Sequence, residues 1–241
     1  IFKFRYNENM GNLENKKFLK SNWQMIYESK HFTFFTRKRG EIKNIKDSAI
    51  KCENHFLKVC RKFQFPTNWK NKINIYVAPN QKFIQKLTGH KTVGCVISKY
   101  SLISIYPFHP HEITHIIFSN CLGDSHYVLK EGVAVLYGWF TRTSLWKGKS
   151  LRFWVKQFKK EKTTCTFKNL IISFVKIPQS ISYPLSGAIV KFLINEFGIE
   201  KFKDLYREIN SGMSYKTIQE IFQKITGISL GEAEERFWKN F

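Results

Sequence analysis

Apolar positions along the first half of the chain follow two rhythms. HFTFFTRK (31–38) is rich in aromatic and β-branched residues and reads as a strand. From 43 to 63, Ile45, Ala49, Cys52, Phe56, Val59, Cys60 and Phe63 recur at three- and four-residue steps, which predicts an amphipathic helix closed before Pro66. KINIYVAP (72–79) alternates as a strand ending at Pro79, and Asn80 to Leu87 reads as a short helix ended by Gly89. VGCVISKYSLISIYP (93–107) predicts one or two strands with a turn near Ser98 to Ser101. Up to about residue 30 the chain is polar and mixed.

After Gly123 the periodicity is almost wholly helical. Helices are predicted over 129–146, 149–160, 183–197, 199–210, 214–226 and 229–240, with Pro178 and Pro184 bracketing an irregular link. No internal repeat or low-complexity linker interrupts the chain. The expectation is an α+β fold in a single domain, 1–241. An N-terminal mixed α/β lobe (1–122) carries a small sheet, and a helical lobe (123–241) follows.

Composition narrows the class. Hydrophobic content of 43% and aromatic content of 16% exclude a disordered chain. No apolar run reaches the ~18 residues that a membrane-spanning helix needs. The five cysteines form no CxxC pair, which speaks against a disulfide framework or a thiolate metal site and favours small buried hydrophobes. The net charge of +22 would attract nucleic acid, anionic lipid or acidic proteins. The cations are dispersed, however, with only short clusters such as RKR (37–39) and KQFKKEK (156–162). No zinc finger, RNP signature or helix-turn-helix pattern accompanies them. The charge therefore reads as a solvated surface suited to association with an acidic partner or an anionic surface. The sequence starts at Ile1 rather than Met, which leaves room for an upstream signal peptide or anchor; the sequence does not fix the compartment, and an extracytoplasmic or membrane-associated setting is preferred over others.

HPHEITHIIF (109–118) carries the chemistry. His111 and His115 are four apart, so on a helix they share one face and can converge on a zinc ion. Glu112 points roughly 100° away, placed to reach a water on the metal without binding the metal itself. Pro110 suits the first helical turn and Gly123 can end the segment. A third ligand is required. The metzincin continuation fails, because Phe118 replaces its glycine and Cys121 its third histidine. Asp124, His126 and Glu131 remain, and Glu131 is favoured. It opens KEGVAVLYG, where Gly132 and Ala134 would let two helices approach closely.

HEITH followed by LKEGVAVLYG resembles the gluzincin metallopeptidases, in particular peptidase MA-like domains with an HExxH, then EGxAxxY pattern. GCVISKYSLISIYP resembles the edge strand before the active-site helix of that family, and YPLSGAIVKFLINEFGIEKFKDLY (183–206) its downstream helix pair. The likeness covers roughly residues 31–210, with Leu129 where the family more often has Trp. It implies a zincin-like fold, Zn2+ as cofactor, and hydrolysis of a peptide or protein substrate.

The expected mechanism has zinc held by His111, His115 and Glu131, and a zinc-bound water deprotonated by Glu112 as it attacks the scissile carbonyl. Tyr183, matching the family's tyrosine, is the expected donor to the oxyanion. Tyr137 is assigned to the core. The strand near Leu102 to Tyr106 is expected to offer its edge to an extended peptide. Two other classes stay open: a catalytically weak zincin-like binding module, and a basic nucleic-acid or membrane-surface binding protein.

Overall fold

A computed structural model describes residues 23–37, 42, 44–89, 91–138, 145–161 and 165–241. Within them the fold is α+β. The described residues up to Asn120 gather in one compact unit and those from Cys121 in another, so the last two residues of the motif helix belong to the second.

The first unit is built on a five-stranded sheet of order β1-β2-β3-β5-β4. Its strands are β1 (Gln24–Glu28), β2 (Phe32–Thr36), β3 (Ile73–Val77), β4 (Gly94–Ser98) and β5 (Ser101–Ser104). β2–β3 and β3–β5 pair in parallel, while the outer pairs β1–β2 and β4–β5 are antiparallel. β3 shows the expected alternation, with Ile73, Ile75 and Val77 buried. β2 is buried at all but Phe35.

Two features of the sheet depart from expectation. β1 falls in the stretch read only as polar and mixed; it is an outer strand with no fully buried residue, so it carries no period-two signal. β5 lies between β3 and β4, so its backbone is occupied on both sides. Among the described residues the outer strand on that side is β4, so β5 is not a sheet edge as the sequence had suggested for Leu102 to Tyr106.

Helix α1 (Ile45–Phe63) buries Ala49, Cys52, His55, Phe56, Val59, Cys60 and Phe63, the face that the periodicity marks. It also tethers the β1–β2 connection. Glu53 Oε1 accepts from the Ser29 hydroxyl and the His31 backbone N–H, and its Oε2 lies 2.6 Å from His31 Nδ1. Helix α2 (Gln81–Thr88) starts at Asn80, whose side chain accepts from Phe83 N–H, and closes at Gly89 with φ 75°. The motif helix α3 (Pro110–Leu122) follows β5.

In the second unit, α4 (Tyr127–Gly138) is followed by a two-stranded hairpin, β6 (Leu145–Trp146) and β7 (Lys149–Ser150), then α5 (Leu151–Lys160) and α6 (Phe167–Ser173). Helices α7 (Gln179–Glu208), α8 (Tyr215–Thr226) and α9 (Leu230–Asn240) complete it. Ser150, Thr166, Ser214 and Ser229 each cap a helix by accepting the backbone N–H three residues on.

Three expectations change here. The helix predicted over 129–146 ends at Gly138, and its tail enters β6, with 139–144 outside the described residues. The irregular link between Pro178 and Pro184 is instead the first turns of α7. Pro178 stands at its N-cap position, and burial of Ser182 and of Pro184 to Val190 holds the helix through Pro184 despite the N–H that proline lacks. The two predicted helices 183–197 and 199–210 are one element interrupted at Gly198, whose φ of 86° and ψ of 167° are not helical.

One buried contact in the first unit is pH-sensitive. The Thr114 hydroxyl donates to the Pro110 carbonyl at 2.8 Å, so it accepts from His55 Nε2 at 3.0 Å. Burial pushes the His55 pKa down to about 3, the Pro110 hydrogen bond opposes the shift, and Lys58 adds to it. Because the folded value is depressed, this stability is fully present above the unfolded pKa of ~6.5 and is lost as pH falls toward the folded value. Urea unfolding at pH 7.5 and pH 5.0 should show a loss of about 2 kcal/mol from this group. His55→Asn should remove that share of the pH dependence; an unchanged difference between the two pH values would refute it.

Candidate metal centre

Inside α3 the positions between and just after the histidines do the packing. Ile113, Thr114, Ile116, Ile117 and Phe118 are all 0% exposed. Phe118 sits edge-on against Phe63 and Phe65. With that face committed to the core and Thr114 tied to His55, α3 cannot rotate without breaking buried contacts. The opposite consequence falls on His111 and His115, which are held on a common face with ring centroids 4.8 Å apart at 84°.

Their Nε2 atoms lie 3.2 Å apart. Two nitrogens on a tetrahedral zinc, with bonds of ~2.0–2.1 Å, stand ~3.3 Å from each other, so the pair has the bite that zinc takes. One donor atom from each of His111, His115 and Glu131 lies within 4.8 Å of the others, a group that could hold a metal ion. Two imidazoles and a carboxylate suit zinc in chemical type as well. Glu112 is next to His111 on α3 and half-buried.

The other two ligand candidates are engaged elsewhere. His126 is 4% exposed; its Nε2 donates to the Ile171 carbonyl at 3.1 Å and its Nδ1 accepts from Val128 N–H at 3.2 Å. Burial lowers its pKa to about 4, against the Ile171 bond. Both nitrogens thus serve the start of α4. Asp124 is exposed and forms an ion pair with Lys130.

Glu131 lies in α4 beside Gly132, but the helix that Gly132 admits is α7. A Cβ there would stand 2.6 Å from the Ser186 carbonyl oxygen and would run into Val190. The close approach expected from Gly132 is thus an α4–α7 contact. The phenols of Tyr127 and Tyr206 have raised pKa values, chiefly through burial and secondarily through the charges of Asp124 and Glu131. Tyr137 is buried, as its core assignment requires, which pushes its pKa up to about 12. Tyr183 lies within α7, not in a turn before Pro184, with its ring tilted against Phe174 at 6.2 Å.

One residue escaped the sequence reading. His109 is 6% exposed, and its ring stands 6.4 Å from that of His111. Its Nδ1 is buried with no hydrogen-bond partner among the described residues. Burial lowers its pKa, Glu112 opposes that shift, and His111 and His115 add to it. The ring fits because position 94 is glycine: a Cβ on Gly94 would collide with it and lie 3.2 Å from the Ile103 carbonyl. The available signal was the extra histidine two places before the motif.

Gly94→Ala should therefore disturb α3 from its N-terminal end. We expect a loss of roughly 1–3 kcal/mol in unfolding free energy from overpacking. Adding His109→Ala should recover part of the stability, because the two changes share one contact. Equal or additive losses would place the collision elsewhere. No protein-family profile matches the chain, and no curated protein matches it.

Proposed function

We propose that the chain is a zinc-dependent metallopeptidase of the gluzincin type, with His111, His115 and Glu131 as metal ligands and Glu112 as general base. The observation that carries this reading is the gathering of the two histidines and Glu131 within 4.8 Å, on residues that sequence spacing had already singled out. Zinc in such a set lowers the pKa of a water and polarises a carbonyl. Glu112, one position beyond His111 and outside the ligand set, accepts the proton of the attacking water and delivers it to the departing amine. Tyr183 enters as donor to the oxyanion on the family resemblance alone.

Metal analysis of the purified chain tests the reading. Zinc should be present at about one per chain, and His111→Ala and Glu131→Gln should each remove most of it. Glu112→Gln should retain the metal while cleavage of a mixed fluorogenic peptide library falls by roughly 10²–10⁴-fold. A wild-type chain that takes up no stoichiometric zinc under replete conditions would end the proposal. Zinc retained without cleavage by the wild type would leave a zinc-stabilised binding module.

A further inference from the structure

We propose that the outer face of α5, together with the β6–β7 turn before it, docks the chain on an anionic lipid surface. This inference rests on a surface that the metal centre does not use. α5 buries Leu151, Val155 and Phe158 along one stripe. Its opposite face presents Arg152, Phe153, Lys156 and Lys160 to solvent. At 100° per residue these four fall within one arc of the helix, with the phenyl ring at the border of the cations. The preceding turn adds Lys147 and Lys149, both exposed. Positive φ values at Lys147 (48°) and Gly148 (76°) make the tight turn that carries them.

Two observations set this face apart from ordinary solvated charge. Residues 145–160 contain no Asp or Glu, so the cations have no acidic neighbour within the segment. Lys159 is engaged with the Trp238 carbonyl, but Lys147, Lys149, Arg152, Lys156 and Lys160 form no ion pair among the described residues. In addition, Phe153 is 42% exposed, with Lys149 Nζ 5.3 Å from its ring centre. A large apolar ring surrounded by cations matches the headgroup region, where the ring enters the acyl boundary and the cations meet lipid phosphates.

The contact is peripheral, because no helix of the described residues is long and apolar enough to cross a membrane. Single-stranded nucleic acid is the competing anionic partner, but it calls for a groove lined with several stacking rings. The outer face of α5 is convex and offers one exposed ring.

Flotation of the whole chain with vesicles tests the proposal by binding alone, independently of hydrolysis. Vesicles of phosphatidylcholine with about one-third phosphatidylglycerol should capture the chain at moderate salt, and pure phosphatidylcholine should not. Lys156→Glu with Lys160→Glu should weaken capture at least about tenfold, and Phe153→Ser or Lys147→Glu a few-fold each. Lys70→Glu with Lys86→Glu, an equal charge change on exposed residues of the first unit, should alter it by less than about twofold. Circular dichroism melts of each variant confirm the fold, and Lys147→Glu lies outside the helix should the double variant unfold. No capture by anionic vesicles, equal loss in the Lys70/Lys86 variant, or tighter binding to a single-stranded oligonucleotide would each overturn the proposal.

Discussion

Two imidazole nitrogens facing each other at 3.2 Å impose a constraint that the surrounding structure has to sustain. Neutral imidazoles that present lone pairs to one another repel, so the arrangement calls for a shared proton or a cation between them. The rings are kept in place from behind. The residues interleaved with the histidines, Ile113, Thr114, Ile116 and Ile117, are fully buried, and Thr114 closes a hydrogen-bonded chain from His55 to the Pro110 carbonyl. The middle of HEITH is therefore as specialised as its ends. Its threonine holds the first turn of the helix to α1, and its isoleucine holds the rotation.

The same economy governs the helix that carries Glu131. Glu131 lies past the first turn of α4, so the helix dipole that would favour an acidic residue at a helix start does little to hold it there. What places it is the next residue. Gly132 lets α4 approach the Ser186 carbonyl of α7 more closely than any side chain would permit, which fixes the rotation of α4 about its axis. His126 sets where the helix begins, by accepting Val128 N–H while bonding the Ile171 carbonyl. Thus neighbouring residues with no direct part in metal chemistry decide where the carboxylate can point.

Much of this was legible in the sequence, for reasons that can be stated residue by residue. Helix α1 was readable because a single face meets the core, α8 and α9 because Ile218 and Phe222, and Leu230, Ala233 and Phe237, recur at helical spacing, and α2 because it runs from Asn80 to a closing Gly89. β1 was not readable, since an outer strand with both faces partly wet has no alternation to show. The turns before Pro184 were misread because proline weakens the local helix, whereas burial of Ser182 and of Pro184 to Val190 decides the outcome. Among Asp124, His126 and Glu131 the sequence favoured Glu131 without excluding the other two. What distinguishes His126 is a hydrogen bond to a residue 45 positions away, and no local pattern encodes that. His109 was overlooked for a similar reason: its burial depends on the missing side chain of Gly94, on a different element.

The charge of +22 acquires meaning only through its distribution. In the second unit Arg236 is bracketed by Glu196 and Glu232, and Lys203 and Arg207 pair with acids one turn away. These surfaces neutralise themselves, so they add little to attraction at a distance beyond the screening length of ~8 Å in physiological salt. The α5 face has the opposite arrangement, with no acid in the segment and an exposed ring among the cations. Total charge governs how strongly a chain is drawn toward an anionic partner. The place where neutralisation is missing governs which side arrives first, and here that place is a helix whose other face is already committed to the core.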